Sequence, residues 1–161
     1  FQTDPDAKKR EEQKAATERS IKGLKILLAE DNALNMEIAE FVLQNEGACV
    51  CKAWNGQQAA EIFENSRPHE FDVILMDIMM PVMNGYEAAE RIRSLDREDA
   101  KVVPIIAMTA NAFAEDRLRA KKAGMDEHIA KPIDVELLVK VIHGFVENDF
   151  RGSCNEKEKV E

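Results

Sequence analysis

A chain of 161 residues with 45% hydrophobic content can bury one sizeable core, so a single compact domain with tails is expected. Its 31 acidic residues outnumber 22 basic ones, for a net charge of -9, which argues against a surface that grips a nucleic-acid backbone. No apolar run approaches the roughly 20 residues of a membrane span, and the charged N-terminus lacks the apolar centre of a signal peptide, so this segment is expected to be soluble, without direct membrane contact.

Residues 1–22 alternate charges with scattered Ala and one Ile, have no apolar stripe, and read as a charged linker. From 23 to 147, short apolar runs alternate with helical periodicities. Predicted strands and helices pair as Lys25–Ala29 with Ala33–Asn45, Ala48–Trp54 with Gln57–Asn65, and Phe71–Met76 with Tyr86–Leu95. Pro104–Met108 then pairs with Phe113–Ala123, and Glu127–Ala130 with Asp134–Glu147. Residues 148–161 form a polar tail. Ile26-Leu27-Leu28 and Val73-Ile74-Leu75-Met76 are apolar on consecutive residues, as a parallel strand covered on both faces requires. In the first predicted helix Met36, Ala39 and Leu43 share one face. Five such units in alternation define an α/β fold, an open doubly wound parallel sheet that binds ligands beyond the carboxyl ends of its strands.

Cys49 and Cys51 stand two apart in the second predicted strand, with side chains on one face about 6 to 7 Å apart, too far for a favourable disulfide. Without partner Cys or His pairs they are also poor zinc ligands, and they read as reduced, half-buried thiols of a cytosolic protein.

Four strands end on, or run into, residues with chemistry: Glu30 and Asp31, Asp77, Thr109, and Lys131 followed by Pro132. Three converging carboxylates repel one another unless a cation compensates, and an all-oxygen set that leaves room for water suits Mg2+. A backbone carbonyl near Met79 is a further metal-ligand candidate. Asp77, at the end of the most apolar strand, is the natural nucleophile toward phosphorus, with Thr109 and Lys131 placed to hold phosphoryl oxygens.

The motifs LLAEDNALN, ILMDIMMPVMNGYEAAERIR, PIIAMTANA and HIAKPID, in this order, resemble the receiver domains of two-component response regulators over residues 24 to about 147. The resemblance implies a flavodoxin-like five-stranded parallel sheet of order 2-1-3-4-5. It implies Mg2+ at Glu30 and Asp31, phosphorylation of Asp77, a hydroxyl at Thr109, a lysine at Lys131 and a cis proline at Pro132. It also puts His128, three residues before the lysine, at a switch position where many receivers carry Tyr or Phe. Partners implied are a histidine kinase core or a histidine phosphotransfer protein. LLAEDNALN and MTANAFAEDRLRAKKAGMDEHIAKPID are most similar to the C-terminal receiver of a hybrid histidine kinase, whose parent protein is compatible with an inner-membrane anchor while this segment is cytoplasmic.

Simpler roles compete at single positions. Asp31 is a candidate helix N-cap. Met76, Met79, Met80 and Met83 suit core and loop packing, Trp54 a partly buried position, and His69 and His143 the surface. The run from Arg117 to Lys122 suits a solvated helix face. Two other functions compete with the hybrid-kinase receiver, a stand-alone regulator and an aspartate-nucleophile phosphohydrolase. The hydrolase is disfavoured because Met79 stands two residues after Asp77, where a leaving-group acid belongs.

Overall fold

The computed structural model describes residues 21–109, 114–131 and 133–145. Five strands, β1 (Lys25–Ala29), β2 (Cys49–Ala53), β3 (Val73–Asp77), β4 (Ile105–Thr109) and β5 (Glu127–Ala130), pair in parallel in the order β2-β1-β3-β4-β5. The helices are α1 (Ala33–Asn45), α2 (Gly56–Glu64), α3 (Gly85–Arg93), α4 (Glu98–Val102), α5 (Ala114–Ala123) and α6, described over residues 135–145. Among the described residues no helix is long and apolar enough to cross a membrane.

The unbroken apolar runs follow from two cores, one on each face of the sheet. Leu27, Ala29, Ile74, Met76, Ile105 and Ala107 pack with Phe63 of α2, Ala88 and Ile92 of α3, and Ala120 of α5. The residues between them, Ile26, Leu28, Val73, Leu75, Ile106 and Met108, pack with Met36, Ala39 and Leu43 of α1 and with Leu138 and Ile142 of α6. Side chains alternate across a strand, so a strand covered on both faces has no polar position to spare. Burying each of these Leu and Ile side chains is worth about 1.5–3 kcal/mol.

Several local expectations shift. Ile21, assigned by charge pattern to the linker, is fully buried in the α1 face of the core. β3 runs on to Asp77, so the carboxylate belongs to the strand instead of following it. Cys49 is exposed at the edge strand and only Cys51 is half-buried. Trp54 is 40% exposed and so only partly covered, while Met79, at 78% exposed, contributes no packing. The short α4 was not anticipated, because its five residues carry no readable period. It is set by Arg97, whose guanidinium grips Asp99 at 3.0 and 2.7 Å and donates to the Phe63 carbonyl at 2.7 Å, satisfying the C-terminal turn of α2. Residues 1–20 and 148–161, and Pro132 with its expected cis bond, lie outside the described residues.

Candidate functional site

Each of the first three strands turns into its helix through an asparagine N-cap. Asn32, Asn55 and Asn84 accept the backbone N–H groups of Asn35, Gln58 and Glu87, and Glu87 completes a capping box. The cap of α1 is therefore Asn32 and not Asp31, which is left exposed beside the sheet edge.

Glu30, one residue past β1, is held against the end of β2 because its N–H donates to the Ala53 carbonyl at 3.0 Å. Its side chain is 3% exposed; Oε1 accepts from the Asn32 N–H at 3.1 Å, and Oε2 accepts from Lys131 Nζ at 2.7 Å. Asp77, similarly buried, has Oδ2 3.0 Å from the same ammonium, while Oδ1 accepts from the Met79 N–H at 3.4 Å. Lys131 is held at the end of β5 by its own N–H, which donates to the Thr109 carbonyl at 2.8 Å. One carboxylate oxygen from each of Glu30, Asp31 and Asp77 lies within 4.8 Å of the others. The donors are hard and all oxygen, and exposed Asp31 leaves the outer side to water, which suits a small, partly hydrated divalent cation such as Mg2+.

Burial pushes the Asp77 carboxyl up to about 6, helped by the Glu30 charge and opposed by Lys131. Burial disfavours the Lys131 ammonium, but Glu30 and Asp77 outweigh it and hold its pKa above the usual lysine range. A cation at the cluster adds charge compensation that one lysine shares between two carboxylates.

Sequence reasoning expected Glu30, Asp31, Asp77 and Lys131 to meet, and the structure brings them together. Thr109, buried at the end of β4, reaches the same edge one strand over, with the backbone of Met79 beside Asp77. His128 lies apart. On β5 opposite Ala107, it accepts from Arg117 Nε at 2.9 Å through Nε2, with Nδ1 3.7 Å from Glu127. The α5 surface is thus not simply solvated: Arg117 holds His128, and Arg119 lies 4.3 Å from the centre of the Tyr86 ring. His69 is exposed and His143 half-buried.

One feature of the site edge was missed. Leu34, Ile38 and Phe41 of α1 are 64, 51 and 62% exposed and spaced to share the helix face opposite the core. The signal was readable, since a helix apolar on two faces has a second face to cover.

Residues 26–143 match the response regulator receiver domain family, and the chain belongs to that family. The peroxide stress-activated histidine kinase mak1 of Schizosaccharomyces pombe is 38% identical over 125 residues, covering 77% of this chain and 8% of the kinase. This chain thus spans under a tenth of that relative. The receiver domain of a sensor histidine kinase from Pseudomonas aeruginosa, solved with magnesium coordinated in its active-site cleft, is 38% identical with a TM-score of 0.70, covering 78% of this chain and 98% of that one. The receiver domain of the response regulator Ssk1 of Saccharomyces cerevisiae, crystallised with the phosphotransfer protein Ypd1, is matched at 28% identity and a TM-score of 0.66, covering 75% of this chain and 87% of the matched chain.

Proposed function

We propose that residues 23–147 form a phosphoacceptor module in which Asp77 takes a phosphoryl group from a phosphohistidine. The observation that carries this reading is a buried Asp77 carboxylate fixed between the Lys131 ammonium and the Glu30–Asp31 pair. An Asp77 oxygen attacks phosphorus in line as the P–N bond breaks and its electrons return to the imidazole, leaving an acyl phosphate. Lys131 exchanges a carboxylate partner for a phosphoryl oxygen, and the Thr109 hydroxyl donates to another. Glu30, Asp31, Asp77 and the Met79 backbone carbonyl would hold Mg2+, which would offset the charge on the transferring group.

The phosphoryl donor is a histidine kinase core or a histidine phosphotransfer protein, seated in part on Leu34, Ile38 and Phe41. The magnesium in the Pseudomonas receiver and the Ypd1 complex of the Ssk1 receiver support this reading. The histidine kinase relatives support a hybrid-kinase parent, and a cytoplasmic setting for the module goes with that reading. His128 acts as a switch residue through its bond to Arg117. Incubation with a phosphorylated histidine phosphotransfer protein tests the reading. Label moves to the wild-type chain and not to Asp77→Asn; equal labelling of both rules Asp77 out.

A further inference from the structure

We propose that Gly56, at the start of α2 and outside the acidic cluster, is a positioning residue for the loop of residues 78–84 that follows the acceptor. The inference rests on the reading of the cluster as a Mg2+ and phosphoryl site. The loop leaves the sheet at Asp77, touches its carboxylate through the Met79 N–H, and closes at its base where the Gly85 N–H donates to the Ile78 carbonyl at 2.9 Å. A side chain at Gly85 would run into the Asp77 carbonyl, so α3 starts directly against the strand end. This fixes the base of the loop. The outer limb has a separate anchor, since the Gly56 N–H donates to the Met83 carbonyl at 3.0 Å.

The anchor admits only glycine. A Cβ at Gly56 would run into the Met83 carbonyl oxygen and lie 2.9 Å from the Asn84 carbonyl oxygen, and both obstacles are backbone. Met83 cannot retreat freely, because its side chain packs against the core beneath and Asn84 caps α3. Between the two anchors the chain makes a tight turn in which the Met83 N–H donates to the Pro81 carbonyl at 2.7 Å, with Val82 at φ 68°. That backbone is uncommon for a β-branched residue and persists only where its surroundings impose it. Gly56 supplies part of that constraint, so a bulkier residue there displaces the loop and the Met79 backbone with it, although Gly56 follows β2, two strands away from Asp77 at the end of β3.

Calorimetric titration of Mg2+ into wild type, Gly56→Ala, Gly144→Ala and Asp99→Asn tests the assignment, with thermal unfolding run on each. Gly144 is surrounded by open space, and Asp99 is a stability control far from the loop. Gly56→Ala is expected to weaken Mg2+ binding on the order of tenfold, the scale seen when a residue supporting a metal site is lost, while both controls stay within about twofold. A folded Gly56→Ala with wild-type Mg2+ affinity overturns the assignment and leaves the phosphoacceptor reading intact. No Mg2+ binding by wild type overturns both. Amide exchange in the wild-type chain decides the matter if Gly56→Ala does not fold. By linkage, saturating Mg2+ should slow exchange of the Gly56 N–H several-fold more than that of the Met125 N–H, which is bonded to the Ala120 carbonyl. Equal slowing of the two amides overturns the assignment.

Discussion

Lys131 Nζ lies 3.0 Å from Asp77 Oδ2 while reaching Glu30 Oε2 at 2.7 Å, so one ammonium from β5 is shared by carboxylates from the ends of β1 and β3. The shared ammonium works against burial in the ionisation of Asp77. Burial has already brought Asp77 up to about 6, with Lys131 as the opposing influence. Lys131→Met should therefore move the Asp77 titration, followed by carboxyl carbon NMR, to a pH above 6. An unchanged midpoint would mean that the ammonium does not govern it.

The raised value also makes Asp77 a cost to the metal-free fold. Between pH 3.8 and about 6 the folded chain retains a proton that the unfolded chain has lost, so the contribution of Asp77 to stability falls as pH rises through this window and remains unfavourable above it. Asp77→Asn is expected to raise the midpoint of thermal unfolding at neutral pH by a few degrees, or roughly 1–2 kcal/mol, in the absence of divalent ions. The gain should shrink toward pH 4. Mg2+ affinity of the wild type should fall as pH drops through about 6, because the ligand must be ionised.

At the opposite end of the sheet, burial works to raise the Asp99 carboxyl, but the Arg97 guanidinium and the His69 N–H outweigh it and hold the group below its ordinary value. Stability from this group is fully present above the ordinary carboxylate value and is lost as pH falls through the lowered one. Asp99→Ala leaves the Arg97 guanidinium with its carbonyl acceptors but without its carboxylate partner, and should cost about 3 kcal/mol at pH 7 by urea unfolding. It should leave Mg2+ binding unaffected.

The proposed role of the exposed α1 stripe in seating the donor can be tested apart from the chemistry at Asp77. Leu34→Ser with Phe41→Ser should slow labelling by a phosphorylated phosphotransfer protein on the order of tenfold or more, as loss of buried apolar anchors does at other interfaces. Labelling by acetyl phosphate should be unchanged. A parallel loss with both donors would place the defect in the fold.

Much of this architecture was legible because its determinants are local and repeated. The consecutive apolar residues of β1 and β3 required a doubly covered parallel sheet, and that topology brings Glu30, Asp77, Thr109 and Lys131 to one edge. What escaped depends on distant partners. The helix at Glu98–Val102 is set by Arg97 contacts with Phe63 and Asp99. The bond from Arg117 to His128, and the seat of Gly56 on Met83, likewise join segments that no local pattern relates.

Intact mass measurement after incubation with Mg2+ and acetyl phosphate tests the central claim most directly. The wild-type chain should gain the mass of one phosphoryl group, lose it on mild alkaline treatment as an acyl phosphate does, and gain nothing when Asp77 is replaced by Asn or Mg2+ is chelated. An unmodified wild type, or an Asp77→Asn chain labelled to the same extent, would contradict the account.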